Sequence, residues 1–327
     1  MKKILAIALA AILLLSMTAC GSGAPAETEA AAAAEKYVVG VCQLVPHVAL
    51  DAATQGFVDK LTEILGEENV EIQVKVAAGD GATCAPIVTD FVSQEVDLIM
   101  ANATPALQSA AAATADIPIL GTSVTEYGVA MGIEGFTGTV GGNISGTSDL
   151  APLDKQADMI LEWFPEAKNV GLLYCAAEAN SKYQVDEVKK YLEAKNLTVK
   201  EFSFSSTSDL AAVAEQAAAW SDVIYVPTDN TVANSTSIVD GVCRPKKVPI
   251  IAGEEGICTG LGVATLSISY EDLGKTTGEM AAKILKGEAK IGEMPIQYAG
   301  EPVAKYNKEI CGELGLTVPQ GYVAIGD

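Results

Sequence analysis

The sequence predicts an α/β protein made of two doubly wound, parallel-sheet lobes joined by a hinge that the chain crosses more than once. Three observations lead there. From residue 37 onward, short apolar runs alternate with longer helical patterns, the order produced when crossover helices join parallel strands. After a Gly/Thr-rich stretch the alternation starts afresh near residue 153. The two halves also match in register. Gly40 in YVVGV and Pro118 in DIPILG stand at one and the same separation from Gly171 in NVGLL and Pro249 in KVPIIAG, and Asp97-Leu98-Ile99 answers to Asp222-Val223-Ile224. Several matches in one order signal a repeated unit.

Residues 37–44 (YVVGVCQL) form a near-continuous apolar run, as expected of a strand covered on both faces. A helix over 49–65, a strand over 71–77, a helix over 86–94, a strand over 97–101, a helix over 105–114 and a strand over 117–121 complete the first half. The second half reads as helix 153–164, strand 170–175, helix 182–195, strand 199–204, helix 210–219, strand 223–226, a helix near 234–242 and strand 248–252. Beyond it come a strand over 262–269 and a helix over 271–285. That helix carries Leu273, Thr277, Ala281, Ile284 and Leu285 along one face, and Gly274 and Gly278 permit close packing there. A strand near 296–305 and a short helix around 308–314 end the chain. Elements beyond the second half imply repeated crossing, so the first lobe is expected to hold 36–148 plus about 268–290. The second is expected to hold 149–267 plus about 291–327.

At the N-terminus, Lys2 and Lys3 precede an unbroken apolar run over 4–15, too short to span a bilayer but suited to the core of a secretory signal. Ser16-Met17-Thr18-Ala19-Cys20 resembles the lipobox of bacterial lipoproteins. The resemblance implies a signal peptide over 1–20, acylation of the Cys20 thiol and an extracytoplasmic protein anchored to the cell membrane by lipid alone. A plain signal peptide cut near Ala19 is the alternative. Residues 21–35 contain no large apolar side chain and cannot bury enough surface to offset their ordering entropy, so they read as a flexible tether.

A net charge of −21 argues against nucleic acid or anionic lipid surfaces as partners, since both would repel the chain. Apart from Cys20 there are Cys42, Cys84, Cys175, Cys243, Cys258 and Cys311. They form no CxxC pair and no zinc spacing, and several lie in apolar elements, so mostly free thiols are expected, with no metal and no cofactor. Gly274-Lys275-Thr276 lacks the upstream glycine of a phosphate loop, because Ser269 occupies that position; helix packing is the better reading. There is no GxGxxG after the first strand and no GxSxG, and any histidine-based catalysis would depend on His47 alone. An enzyme is therefore not expected. His47 itself reads either as a cleft-edge ligand contact or as a structural residue at a helix start.

Several stretches resemble one family: His47-Val48-Ala49-Leu50-Asp51, Ala103-Thr104-Pro105, Gly146-Thr147-Ser148-Asp149, Glu178-Ala179-Asn180-Ser181, Val226-Pro227-Thr228-Asp229-Asn230-Thr231, Ala252-Gly253-Glu254-Glu255-Gly256 and Leu273-Gly274-Lys275-Thr276-Thr277-Gly278. The chain is similar to ABC-transporter substrate-binding proteins of the type I periplasmic-binding-protein fold, in the family associated with tryptophan and tyrosine uptake. That resemblance implies capture of a small molecule, an aromatic or other apolar amino acid first, for delivery to membrane permease subunits. A monomer is expected.

Ligands of open α/β sheets bind beyond the carboxyl ends of the strands. Thr104, Ser123, Thr125, Asn180, Ser181, Thr228, Asp229, Asn230, Thr231 and Glu255 all follow apolar runs and are the candidate ligand-binding residues. Hydroxyls and helix N-termini suit a carboxylate, and an acidic side chain suits an ammonium. Asp229 is the foremost candidate for the ammonium, with Glu255 or Glu254 behind it. At Thr104 and Asp229 the competing reading is a helix N-cap. A sugar or nucleoside receptor using Tyr127, Phe136 and Tyr183, a sensor lobe without transport, and a secreted hydrolase remain the alternatives.

Overall fold

The computed structural model describes residues 36–326, so the expected lipobox and tether lie outside the described residues. The first lobe is built from β1 (Tyr37–Gln43), α1 (Val48–Leu65), β2 (Val70–Val76), α2 (Gly81–Ser93), β3 (Leu98–Asn102), α3 (Thr104–Ala113), β4 (Ile119–Val124), α4 (Tyr127–Met131) and β5 (Ile144–Ser148). The chain then enters the second lobe. This holds α5 (Leu153–Trp163), β6 (Asn169–Cys175), α6 (Ala179–Ala194), β7 (Thr198–Phe204), α7 (Thr207–Trp220) and β8 (Val223–Val226), then α8 (Asn230–Ala233), α9 (Thr236–Cys243), β9 (Ile250–Ala252), α10 (Glu255–Leu261) and β10 (Ala264–Ser267). The final elements are α11 (Tyr270–Leu285), β11 (Gln297–Tyr298), β12 (Val303–Tyr306), α12 (Lys308–Leu314) and β13 (Val323–Ala324).

The first sheet runs β11-β5-β4-β3-β1-β2 and the second β13-β12-β10-β9-β8-β6-β7. Without the late strands the two orders are the same, 5-4-3-1-2 in each lobe, so the repeat read from glycine and proline spacing is a repeat of winding. All pairs are parallel except β10 with β12. In each sheet the order reverses beside the first strand, which opens a crevice at the carboxyl edge. Strands β3 and β8 are wholly buried runs, LIMAN and VIYV, because helices cover both faces.

Three details depart from the sequence reading. The apolar stretch near 296–305 is two strands on different sheets: β11 pairs with β5 and β12 with β10. Residues 297–298 therefore belong to the first lobe, not the second. The chain crosses between lobes three times, after Ser148, after Ser267 and after Tyr298. Helix α2 begins at Gly81 instead of residue 86, because Asp80 and Thr83 form a reciprocal capping box and carry the helix through Pro86. The Gly/Thr-rich stretch conceals β5, whose residues ISGTS are all buried.

Helix α11 returns to the first lobe and packs on α1. A Cβ at Gly274 would lie 2.0 Å from the Ala53 carbonyl oxygen, and one at Gly56 would lie 2.2 Å from that of Glu271. Only glycine on each helix allows the backbones so close. The GKT sequence is thus a packing surface. The six cysteines among the described residues are buried and free.

Candidate functional site

The ends of β3, β4 and β5 stand side by side at the carboxyl edge of the first sheet. Ala103 has φ 92° and Ser123 φ 53°, left-handed conformations that cost a non-glycine residue free energy and concentrate at functional sites. The turn at Ala103 sets Thr104 as the first residue of α3. Thr104 Oγ1 and Ser123 Oγ are both buried and have no hydrogen-bond partner. Thr125 is buried, and its carbonyl accepts from Ser148 Oγ at 2.7 Å. One residue past β5, Asp149 is 4% exposed. Tyr270 Oη donates to its Oδ2 at 3.0 Å, while Oδ1 has no partner. Burial pushes the Asp149 carboxyl up, and the neighbouring Thr125 and Tyr270 hydroxyls pull it partly back.

The corresponding edge of the second lobe is a closed polar network. Glu178 Oε2 accepts from the Asn230 backbone N–H at 3.0 Å and from Asn230 Nδ2 at 2.7 Å. Its Oε1 accepts from the Thr231 backbone N–H at 2.9 Å and from Thr231 Oγ1 at 2.7 Å. Asp229 caps α8: Oδ1 accepts from Val232 N–H at 2.9 Å, and Oδ2 from Cys175 N–H at 2.7 Å. Burial first, then the Glu178 charge, pushes the Asp229 carboxyl up to about 7. Glu254 caps α10 through the Gly256 and Ile257 N–H groups, and burial takes it up to about 7 as well. Glu255 is half-buried and accepts from Lys305 Nζ at 2.5 Å. The Thr228 N–H donates to Gln184 Oε1 at 3.0 Å, and Ser181 Oγ accepts from Asn180 Nδ2 at 3.3 Å.

Asn180 is the exception on this edge. Its Nδ2 faces Thr228 O at 3.0 Å and Glu178 Oε2 at 3.3 Å, both acceptors, which settles the amide orientation. Its Oδ1 is buried and unpartnered. Buried polar groups in folded proteins are nearly always satisfied. Unpartnered buried atoms thus stand at strand ends of both lobes: the Thr104 and Ser123 hydroxyls on the first, Asn180 Oδ1 on the second and Asp149 Oδ1 beside the crossing.

The lobes meet at His47, which precedes α1 and brings Nε2 to 3.4 Å from Asn230 Oδ1. Desolvation lowers the imidazole, which favours its neutral form. A groove of about 300 Å³ lies on this side, lined by Asp80, Pro105, Gln108, Glu178 and Asn230 among others. A second, of about 450 Å³, runs past Glu254, Ser267, Tyr270 and Lys305. Pro105, next to Thr104 in the chain, lines the first groove, and Tyr270, which donates to Asp149, lines the second.

Sequence reasoning placed Thr104, Ser123, Thr125, Asn180, Ser181, Thr228, Asp229 and Asn230 at strand ends, and all but Thr228 are buried there. The structure separates their roles. Asp229, foremost candidate for an ammonium, has both oxygens committed to backbone N–H groups, and Glu255 is tied to Lys305. Asp149, Glu178 and Tyr270 were missed as site residues. Asp149 follows a strand that glycine and threonine disguise, so its place at a strand end was hidden. Tyr127, a candidate for ring stacking, is 1% exposed in the core, with its hydroxyl donating to Thr147 O at 3.0 Å.

Two lobes of equal winding, three crossings between them and unsatisfied polar groups on the facing edges suit a two-lobed receptor for a small ligand. The family model described as ABC transporter substrate binding protein matches residues 38–324, and the chain belongs to that family. Its members are non-enzymatic receptors that bind small ligands outside the cytoplasm and interact with ABC permeases. Among the described residues no helix is long and apolar enough to cross a membrane.

The chain is 37% identical over 315 residues to a tyrosine-binding protein of Clostridioides difficile, covering 94% of this chain and 91% of that one. A Streptococcus pneumoniae ABC domain in complex with L-Trp superposes with a TM-score of 0.84 at 33% identity, covering 89% of this chain and 100% of the other. A ligand-free, open substrate-binding protein with adhesive properties from Clostridium difficile reaches only 0.66, although it is 38% identical and covers 88% and 99%. The more similar sequence superposes less well. The present structure is therefore nearer in global arrangement to the ligand-bound relative than to the open one.

Proposed function

We propose that this protein captures an L-amino acid with an aromatic or other apolar side chain between its lobes and presents it to an ABC importer. The observation that carries the reading is the set of buried, unpartnered polar atoms on facing strand ends: Thr104 Oγ1, Ser123 Oγ, Asn180 Oδ1 and Asp149 Oδ1. Thr104 also stands at the N-terminus of the ten-residue α3, an arrangement favourable to a carboxylate. Relatives that bind tyrosine or carry L-Trp support an aromatic side chain. The sugar alternative loses Tyr127 as a stacking surface. Calorimetric titration with the proteinogenic L-amino acids is the test. Saturable binding of L-tyrosine or L-tryptophan, with weaker binding of charged amino acids, is expected; binding of sugars with no response to any amino acid overturns the reading.

Ligand binding closes the lobes by rotation about the three crossings, a differential affinity for one of two arrangements. Small-angle scattering should show the ligand-free protein expanding relative to the saturated one, and identical profiles overturn closure. The protein is tethered by a lipid on Cys20, as its lipobox-like sequence supports, and acts as a monomer because one chain supplies both walls of the cleft. Mass spectrometry of the mature N-terminus tests the tether, and light scattering of the soluble domain tests the monomer.

A further inference from the structure

Resting on the amino-acid reading above, we propose that Asp149, not a carboxylate of the second lobe, receives the ligand's α-ammonium group through its Oδ1, with Tyr270 holding the carboxylate in place through Oδ2. The argument is one of elimination and of placement. Every acidic side chain named on the second lobe's edge is occupied: Glu178 by Asn230 and Thr231, Asp229 by Cys175 and Val232, Glu254 by Gly256 and Ile257, Glu255 by Lys305. Asp149, by contrast, keeps its buried Oδ1 without a hydrogen-bond partner.

Its position suits the role. Asp149 N donates to Val124 O at 3.3 Å, which ties it to the end of β4 beside Ser123 and Thr125. Ser123 in turn lies between Asp149 and Thr104, because β4 runs between β5 and β3. Neighbouring strands are about 4.8 Å apart, so hydroxyls and carboxylate are set out along one edge at the scale of an amino acid's backbone. The hydroxyls of Thr104 and Ser123 can donate to a ligand carboxylate. Asp149 Oδ1 and Asn180 Oδ1 can only accept from an ammonium when the acid is ionised. The cleft thus has a donor end and an acceptor end, and it fixes which way the zwitterion lies. Tyr270 opens α11 immediately after the second crossing and reaches Asp149 at the first, so the acceptor is held where the lobes pivot and need not travel with either wall.

The test compares wild type and Asp149→Asn by calorimetric titration with L-tyrosine and with its des-amino analogue, 3-(4-hydroxyphenyl)propionate. Wild type should bind L-tyrosine at least tenfold more tightly than the analogue, and Asp149→Asn should lose at least tenfold for L-tyrosine while binding the analogue as wild type does. Unchanged analogue binding also shows that the variant is folded. Tyr270→Phe should weaken L-tyrosine less than Asp149→Asn. Equal L-tyrosine affinity in wild type and Asp149→Asn overturns the assignment and leaves the amino-acid reading intact, as does an equal loss for both ligands. A wild-type protein that binds no L-amino acid overturns the amino-acid reading and the assignment with it.

Discussion

The two lobes share one winding order but finish their carboxyl edges in opposite ways. On the second lobe, Glu178, Asp229 and Glu254 are each buried and each close a helix N-terminus or a turn through backbone N–H groups. On the first lobe the same edge carries Thr104 and Ser123 with nothing to bond to, on backbone that includes two left-handed non-glycine residues. Buried acids that hold their own scaffold make one wall stiff. Buried hydroxyls left open make the other wall receptive. The lesson is that a carboxylate at a strand end is no evidence of ligand contact until its oxygens have been accounted for.

The largest expected effect falls on the stiff wall. Glu178→Ala strands the N–H groups of Asn230 and Thr231 and their side chains. Since each stranded buried donor costs about 1–3 kcal/mol, urea denaturation should show a loss of ~3 kcal/mol or more. Stability within error of wild type would break the contrast between the walls. Asp229→Ala comes next. It removes a cap and an anchor to Cys175, so ligand-free stability should fall by roughly 2 kcal/mol, while affinity for the bound amino acid moves less than threefold in the folded variant. A large affinity loss without a stability loss would return Asp229 to the ammonium.

Thr104→Val should show the reverse pattern on the receptive wall. Ligand-free stability should be unchanged or slightly higher, because an orphan hydroxyl is replaced by a methyl group. Affinity should fall about tenfold, equivalent to ~1.4 kcal/mol. Calorimetry beside thermal melts reads both quantities.

The smallest effect is in pH. Burial holds Asp229 and Glu254 up at about 7, against about 4 for exposed carboxyls. The native state therefore keeps protons that the unfolded chain releases between pH ~4 and ~7. Their contribution is fully present below the lower value and is lost as pH rises through the higher one. The ligand-free melting temperature should decline from pH 5 to pH 8, and Asp229→Asn should shallow that decline. A melting temperature that rises over this range would contradict the placement of both acids.

Most of the winding was legible in the sequence, because apolar runs bounded by turn residues mark strands whatever they pack against. Gly171 and Pro249 repeat Gly40 and Pro118, and the sheets repeat with them. Strand β5 was not legible. Its residues, Ile144, Ser145, Gly146, Thr147 and Ser148, carry only one large apolar side chain, and its burial comes from polar contacts such as Ser145 Oγ to Met294 O and Thr147 Oγ1 to Thr277 Oγ1. Losing β5 also lost Asp149 as an end-of-strand residue.

What the sequence by itself determined was therefore local and additive: element type, the duplicated order, the packing glycines of α11 and the set of polar residues that follow apolar runs. Only the tertiary structure decided where pairing and satisfaction fall. The run near 296–305 divides between two sheets because β5 and β10 offer free edges on different lobes, a fact that no local pattern encodes. Whether a buried carboxylate is open to a ligand depends on which N–H groups reach it across tens of residues of chain, as Cys175 reaches Asp229 and Asn230 reaches Glu178. Hydrogen bonding is short-ranged and directional, so the residues that complete a site are fixed by the folded geometry that brings distant segments within about 3 Å.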